Sequence, residues 1–195
     1  MKNQILQRCG NVEEADKLLK SWGQNPKLCY DFWRDNEAKV PWFKEVWKCG
    51  CTPKYAFTLW LGIKGKLLTS DKVYGDDVDR SCVLCGKECE TMDHIFFKCD
   101  FTSYVWNNLR RWMGIRRDMS TLKAALKWLH KEAKGNGMHS VGKKICLATT
   151  VYFIWHFRNK RRFDGMSISA NDMIQVIQRH TYRTVFDRYG LHAIK

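Results

Sequence analysis

The sequence has little proline, no long apolar run and few acidic residues in its second half. Three prolines and 13 glycines among 195 residues exclude a collagen-like chain and do not indicate disorder. The longest apolar run, residues 145–157, is too short to cross a bilayer. The first residues contain no apolar segment of the kind found in signal peptides. We therefore expect a soluble intracellular protein with no membrane partner.

The composition predicts a large folded core. The chain is 45% hydrophobic and 13% aromatic, and it contains nine tryptophans, each of which can bury a large apolar surface. A length of 195 residues predicts one domain or two small ones.

Charge is distributed unevenly along the chain. Residues 1–100 carry 16 Lys and Arg against 15 Asp and Glu, whereas residues 101–195 carry 18 against 5. Nearly all of the net charge of +14 therefore lies in the second half. A field of that sign attracts phosphate groups, so a polyanion is the first partner to consider. The alternative is a charged face that only keeps the protein soluble.

Apolar residues recur at helical spacing along most of the chain. Thr52, Ser120 and Ser169 are predicted N-caps. The segment 141–163 is apolar nearly all round in its middle, which predicts the central buried helix. The strand-like pattern is limited to a short hairpin around Cys82–Cys89. Helices are predicted over residues 13–22, 28–38, 41–48, 52–63, 101–114, 120–135, 141–163 and 169–190.

The segment CVLCGKECETMDHIFFKC, residues 82–99, has the spacing of a zinc site. Cys82 and Cys85 are two residues apart, so a tight turn at Gly86 can place both sulfurs on one side. Thr91 can cap a short helix that carries His94 and Cys99. Cysteines stay reduced inside cells, which favours metal over disulfides. We predict one structural Zn²⁺ held by Cys82, Cys85, His94 and Cys99, with Cys89 as the alternative to Cys99.

The sequence does not predict an enzyme. Four strong protein ligands leave no open position on the metal for catalysis. Tyr74-Gly75-Asp76-Asp77 resembles the Y-x-D-D tetrad of template-directed polymerases, but it lies between charged residues instead of apolar strands. We interpret it as an acidic turn after a helix end. No small-molecule substrate is expected.

Two basic clusters are candidate nucleic-acid contacts. Arg158, Lys160, Arg161 and Arg162 lie among aromatic residues that we expect to pack in the core. Arg110, Arg111, Arg116 and Arg117 form the second cluster. We predict that the two make one contiguous positive face that binds RNA or DNA with little sequence selectivity. The first cluster also has the composition of a nuclear-localisation signal, so we expect the nucleus, with the cytoplasm as the alternative.

A series of residues around the cysteine segment forms an ordered pattern: Pro53, Lys54, Phe57, Trp60, Leu61, Leu68, Thr69, Cys82, Cys85, Glu90, Thr91, His94, Cys99, Val105 and Trp106. This order resembles the reverse-transcriptase zinc-binding domain of plant non-LTR (LINE-type) retrotransposons. The resemblance is close over residues 30–106 and looser over residues 154–163. It implies the ligand set Cys82, Cys85, His94 and Cys99. It also implies a part of a retroelement polyprotein that follows the polymerase and helps to engage RNA or target DNA. The extra Cys89 departs from the family pattern, and the chain contains no polymerase palm.

Together these expectations give a mainly α fold. A small helical domain is stapled by a CCHC zinc turn and followed by a basic helical C-terminal region. The predicted divisions are a helical lead-in over 1–29, the zinc-binding domain over 30–106 and the basic region over 107–195. The predicted function is non-catalytic binding of zinc and nucleic acid. The alternative is a zinc-stabilised structural or protein-interaction module that binds no nucleic acid.

Overall fold

The computed structural model describes residues 11–24, 42–75 and 79–190. These residues are mainly helical, which confirms the predicted fold class. Within them, the pairing of extended segments is limited to one isolated antiparallel bridge between Ser81 and Cys89. The chain divides into two compact units, Met1–Val40 and Pro41–Lys195.

The first unit contains helix α1, Val12–Gln24, close to the predicted range of 13–22. Asn11 caps it, because the Asn11 side-chain oxygen accepts a hydrogen bond from the Glu14 N–H at 2.8 Å. Glu13 and Glu14 lie in its first turn, where negative charge stabilises the helix dipole. The predicted helix over 28–38 falls outside the described residues.

The second unit contains six α-helices within the described residues, and their bounds follow the predicted ranges closely. The α-helices are α2 (Phe43–Trp47), α3 (Pro53–Ile63), α4 (Asp100–Trp112), α5 (Leu122–Glu132), α6 (Met138–Asp164) and α7 (Ala170–Tyr189). A 3₁₀ turn at Ser70–Lys72 and a π-helix at His94–Lys98 lie between α3 and α4.

The three predicted N-caps have different outcomes. Ser169 is confirmed, since its hydroxyl accepts a hydrogen bond from the Asp172 N–H at 3.1 Å. The cap of α5 is Thr121 instead of Ser120, because Thr121 Oγ1 accepts from the Ala124 N–H at 3.0 Å. Thr52 occupies the N-cap position of α3, but its side chain makes no capping hydrogen bond. Pro53, in the first turn of α3, has no N–H group, so one fewer amide at the start of this helix needs a capping partner.

Helix α6 is the centre of the core, as the sequence predicts. Its Ile145, Ala148, Val151 and Ile154 are fully buried. Helix α6 packs against α3 and α7, and α4 packs against α7. In the described part of the chain, no helix combines the length and the apolar character needed to cross a membrane.

Candidate metal centre

The first half of the site is a tight turn that brings Cys82 and Cys85 to one side. The Cys82 N–H donates to the Glu88 carbonyl at 2.7 Å, which closes a short hairpin beside the Ser81–Cys89 bridge. The Gly86 N–H donates to the Cys82 carbonyl at 2.6 Å. Gly86 has a φ of 68°, a left-handed conformation that glycine adopts without a steric penalty. The predicted hairpin and glycine turn are therefore present.

The second half of the site is the π-helix His94–Lys98. Thr91 Oγ1 accepts a hydrogen bond from the His94 N–H at 3.1 Å, which matches the predicted capping role of Thr91. The Cys99 N–H donates to the His94 carbonyl, five residues earlier, at 2.8 Å. This five-residue hydrogen bond defines π geometry, which is found mostly as single turns and often at functional sites. It closes the chain around His94 and Cys99 so that both face the hairpin.

The four predicted ligands converge on one point. The Sγ atoms of Cys82, Cys85 and Cys99 and one ring nitrogen of His94 all lie within 4.8 Å of one another. Cys82 Sγ and Cys99 Sγ are 3.9 Å apart, and Cys85 Sγ lies 3.4 Å from His94 Nε2. A tetrahedral shell with Zn–S bonds of about 2.3 Å has sulfur–sulfur separations of about 3.8 Å. The donor set and its spacing therefore fit one zinc ion.

The imidazole of His94 is oriented by Glu88. His94 Nδ1 lies 3.1 Å from a carboxylate oxygen of Glu88, which leaves Nε2 directed at the thiols. Carboxylates commonly hold metal-binding histidines in this way, because the hydrogen bond fixes both the tautomer and the ring orientation. The sequence analysis did not assign this role to Glu88. The backbone pairing of Cys82 with Glu88 brings that carboxylate to His94 Nδ1. The role of Glu88 therefore depends on the folded hairpin and has no signal in the spacing of the ligands.

Two of the thiols share a hydrogen bond that favours a thiolate. The Cys82 thiol donates to Cys99 Sγ. This bond lowers the pKa of Cys99 to about 5 and raises the pKa of Cys82, while burial opposes the ionisation of both. Thiolates are the form of cysteine that binds metal. Cys99 is therefore the more readily ionised thiol of the pair.

The alternative ligand Cys89 does not join the cluster. Its side chain is exposed, on the bridge residue opposite Ser81, whereas Cys82 and Cys99 are fully buried. The predicted acidic turn after Tyr74 includes Asp76 and Asp77, which lie outside the described residues. Tyr74 itself is 98% exposed.

An ion pair joins the cysteine turn to the central helix. Arg158 of α6 donates to both carboxylate oxygens of Glu90, and the two side chains are 3% and 0% exposed. Glu90 also accepts hydrogen bonds from the Ser70 N–H at 3.0 Å and the Ser70 hydroxyl at 3.2 Å. Arg162 Nη1 donates to the same hydroxyl at 2.5 Å. Together these bonds hold the turn, the 3₁₀ segment and the end of α6 to one another.

The predicted phosphate-binding residues therefore differ in availability. The prediction that Arg158 contacts phosphate is corrected, because its guanidinium is buried and already bound to a carboxylate. Lys160 is half-exposed and paired with Asp164 at 2.9 Å. Arg110 is paired with Asp118. The remaining predicted residues are exposed or half-buried and have no carboxylate partner among the described ion pairs: Arg111, Arg116, Arg117, Arg161 and Arg162.

The two basic clusters lie near opposite ends of α6. Met113, beside the cluster of Arg110, Arg111, Arg116 and Arg117, approaches Gly142 near the start of α6. The cluster of Arg158, Lys160, Arg161 and Arg162 lies in the last turns of α6. Twenty residues of α-helix span about 30 Å. Of the aromatic residues in the second of these segments, Trp155 and Phe157 are partly buried against the core, whereas Phe163, also expected in the core, is 74% exposed.

The fold and the cluster define a helical protein with a Cys₃His site suited to one zinc ion. Residues 25–106 match the family model of the zinc-binding domain in reverse transcriptase. All four cluster residues lie inside that match, which supports a reverse-transcriptase zinc-binding domain in this chain. The matched family is a zinc-binding domain. No curated protein and no solved structure matches the chain.

Proposed function

We propose that this protein is a non-catalytic module in which one zinc ion stabilises a helical platform for nucleic acid. We further propose that it derives from the reverse transcriptase of a plant LINE-type retrotransposon. The observation that carries the proposal is the Cys82/Cys85/His94/Cys99 cluster within the residues that match the zinc-binding family. Three thiolates and one imidazole complete a tetrahedral shell, so the bound ion would supply folding stability.

The charge of the second half supports nucleic acid as the partner. Residues 101–195 carry 13 more basic than acidic residues. The exposed arginines at each end of α6 are suited to phosphate contacts, which position a protein on nucleic acid without reading its sequence. We therefore propose RNA or DNA as the partner, with little base selectivity. The nucleus is the compartment in which we expect the contact to occur.

Salt dependence tests this proposal. Binding of a labelled single-stranded RNA should weaken as salt rises, with a log–log slope of about −0.7 for each phosphate contacted. Arg116→Gln/Arg117→Gln, which removes two candidate contacts, should make the slope shallower by about 1.4, and Arg161→Gln, at the other end of α6, should make it shallower by about 0.7. The matched control is Lys17→Gln/Lys20→Gln, which removes the same charge from exposed positions of α1. A slope near zero, or no binding at low salt, would remove nucleic acid as the partner.

A protein partner is the second candidate, and exposed aromatic rings favour it. Trp47 is 41% exposed and Phe57 is 51% exposed. Their rings lie 6.4 Å and 5.7 Å, respectively, from the ring of Trp60. Aromatic clusters of this kind are enriched at protein interfaces. The same titration separates the two candidates, because a protein-interaction module would show no RNA binding at low salt.

A further inference from the structure

A groove separates the end of α3 from the outer face of α5. Its wider part has a volume of about 750 Å³ and an apolar floor formed by Trp42, Ile63 and Leu126. Lys64 lies on the α3 side, and Lys123 and Lys127 lie on the α5 side. We call this feature the α3–α5 groove. It combines an aromatic surface with cations on both walls.

The groove continues towards the cysteine turn. A narrower part of about 300 Å³ shares Ile63, Lys64 and Lys123 with the wider part and reaches Met92 and Asp93. Those two residues directly precede His94 of the metal cluster. The two parts together form one groove that extends from Met92 and Asp93 to Trp42.

Among the described residues, the lysines of the groove have no carboxylate partner. The ion pairs and hydrogen bonds found in the described residues do not use the amine of Lys64, Lys123 or Lys127. His130, at the wide end, has its Nδ1 atom 3.2 Å from Glu45 Oε1. Asp93 adds a negative charge at the narrow end. Around the apolar floor, the unpaired charge is therefore positive.

We propose that the α3–α5 groove binds a single-stranded segment of nucleic acid, with a base against Trp42 and backbone phosphates on the lysines. Single strands are bound in this way, because a positively charged groove follows the backbone while aromatic side chains stack on the bases. An apolar floor alone would suit many partners, but lysines on both walls fit a ligand that is anionic along its length. A duplex keeps its bases stacked inside, so it cannot place one on this floor. The inference rests on the proposed function and adds the strand form and the contact site.

The test compares three ligands on the full zinc-loaded chain. They are a labelled single-stranded RNA, an abasic strand with the same number of phosphates, and a duplex of the same length. The single strand should bind about tenfold more tightly than the abasic strand, because only the former has bases to stack. Trp42→Leu should remove most of that difference. Because Trp42 packs partly against the core, the melting temperature of this variant is measured alongside.

Groove lysines provide a second arm that does not depend on the fold of the Trp42 variant. Lys123→Gln/Lys127→Gln should weaken single-strand binding about tenfold. The matched control, Lys131→Gln/Lys134→Gln, removes the same charge from exposed residues of the same region that do not line the groove. It should change binding less than threefold.

The outcomes separate this inference from the proposed function. One outcome is salt-dependent binding that is equally tight for the single strand and the abasic strand, and equal in the groove and control variants. That result would contradict binding in the groove and leave the proposed function unaffected. Absence of all nucleic-acid binding would overturn both. Anionic phospholipid vesicles or an acidic peptide that compete for the groove lysines, while RNA does not, would assign the groove to another partner and overturn the inference.

Discussion

Glu90 is the side chain through which the cysteine turn is joined to the rest of the molecule. Its two carboxylate oxygens accept hydrogen bonds from Ser70 and Arg158, and the side chain is fully buried. Placing a charged pair in the interior is unfavourable unless both members remain matched. Arg158 therefore serves the fold, although its place in a basic run suggests a surface role.

Replacing Arg158 by Met should lower the free energy of unfolding by about 3–5 kcal/mol, because Glu90 would remain buried without its counter-charge. Urea denaturation measures this loss. The double variant Glu90→Gln/Arg158→Met should recover part of the stability, since no buried charge is left unpaired. Arg161→Met is the control on the exposed side of the same helix turn. Equal losses in Arg158→Met and Arg161→Met would contradict the structural role.

Glu88 should tune zinc affinity without contacting the ion. Glu88→Gln weakens the hydrogen bond to His94 Nδ1 and should reduce zinc affinity about tenfold. Competition with a coloured chelator measures the change. Glu132→Gln, an exposed glutamate at the end of α5, serves as the control. Equal affinities in both variants would show that Glu88 does not orient the imidazole.

Among the elements, the π-helix had no signal in the sequence. The spacing predicts a short helix capped by Thr91, and that cap is present. An α-helix would place His94 and Cys99 about 140° apart around its axis, since each residue turns about 100°. The five-residue hydrogen bond between them corrects this mismatch. Within this element, Ile95 and Phe96 are fully buried in the core.

The contact of α7 with α3 and α6 includes His180, whose pKa is lowered. The Tyr55 hydroxyl lies 3.0 Å from His180 Nδ1, and the Phe153 ring is 4.8 Å from the imidazole. Burial lowers the pKa of His180, and the charges of Lys54, Arg179 and Arg183 lower it further. The folded state therefore takes up this proton at a lower pH than the unfolded chain.

Stability should decrease as pH falls through about 6.5, because the unfolded chain protonates His180 first and is thereby favoured. The contribution of His180 is fully present above that pH. In His180→Gln, the loss of unfolding free energy between pH 7 and pH 5 should be smaller. Denaturant titrations at a series of pH values measure it, with the exposed His139→Gln as the control. An unchanged pH dependence in His180→Gln would contradict this account.

For the whole molecule, the metal cluster and the helical core form one structure. Cys82, Leu84, Ile95 and Phe96 belong to the same buried cluster as Val151 and Ile177 of α6 and α7. Because the metal ligands lie inside the core, loss of the metal should destabilise the whole core and not the cysteine turn alone.

Removing zinc with a chelator should lower the melting temperature by about 10 °C in a single transition, since each kcal/mol lost shifts Tm by about 2–4 °C in a chain of this size. Cys82→Ser should reproduce the effect in the presence of zinc. Cys89→Ser should melt like the parent chain, because Cys89 is exposed and outside the cluster. Identical melting curves with and without chelator would show that the site does not stabilise the fold.

The sequence by itself determined the helices, the central position of α6 and the spacing that predicts the cluster of Cys82, Cys85, His94 and Cys99. These features follow from local periodicity, caps and ligand spacing, which are encoded in neighbouring residues. Tertiary structure decided which charges remain available. Arg158 is buried in an ion pair with Glu90, which is 68 residues away in the sequence. The two basic clusters lie at opposite ends of α6. It also formed the α3–α5 groove from segments distant in sequence, because burial and long-range pairing depend on how the helices pack and not on any one of them.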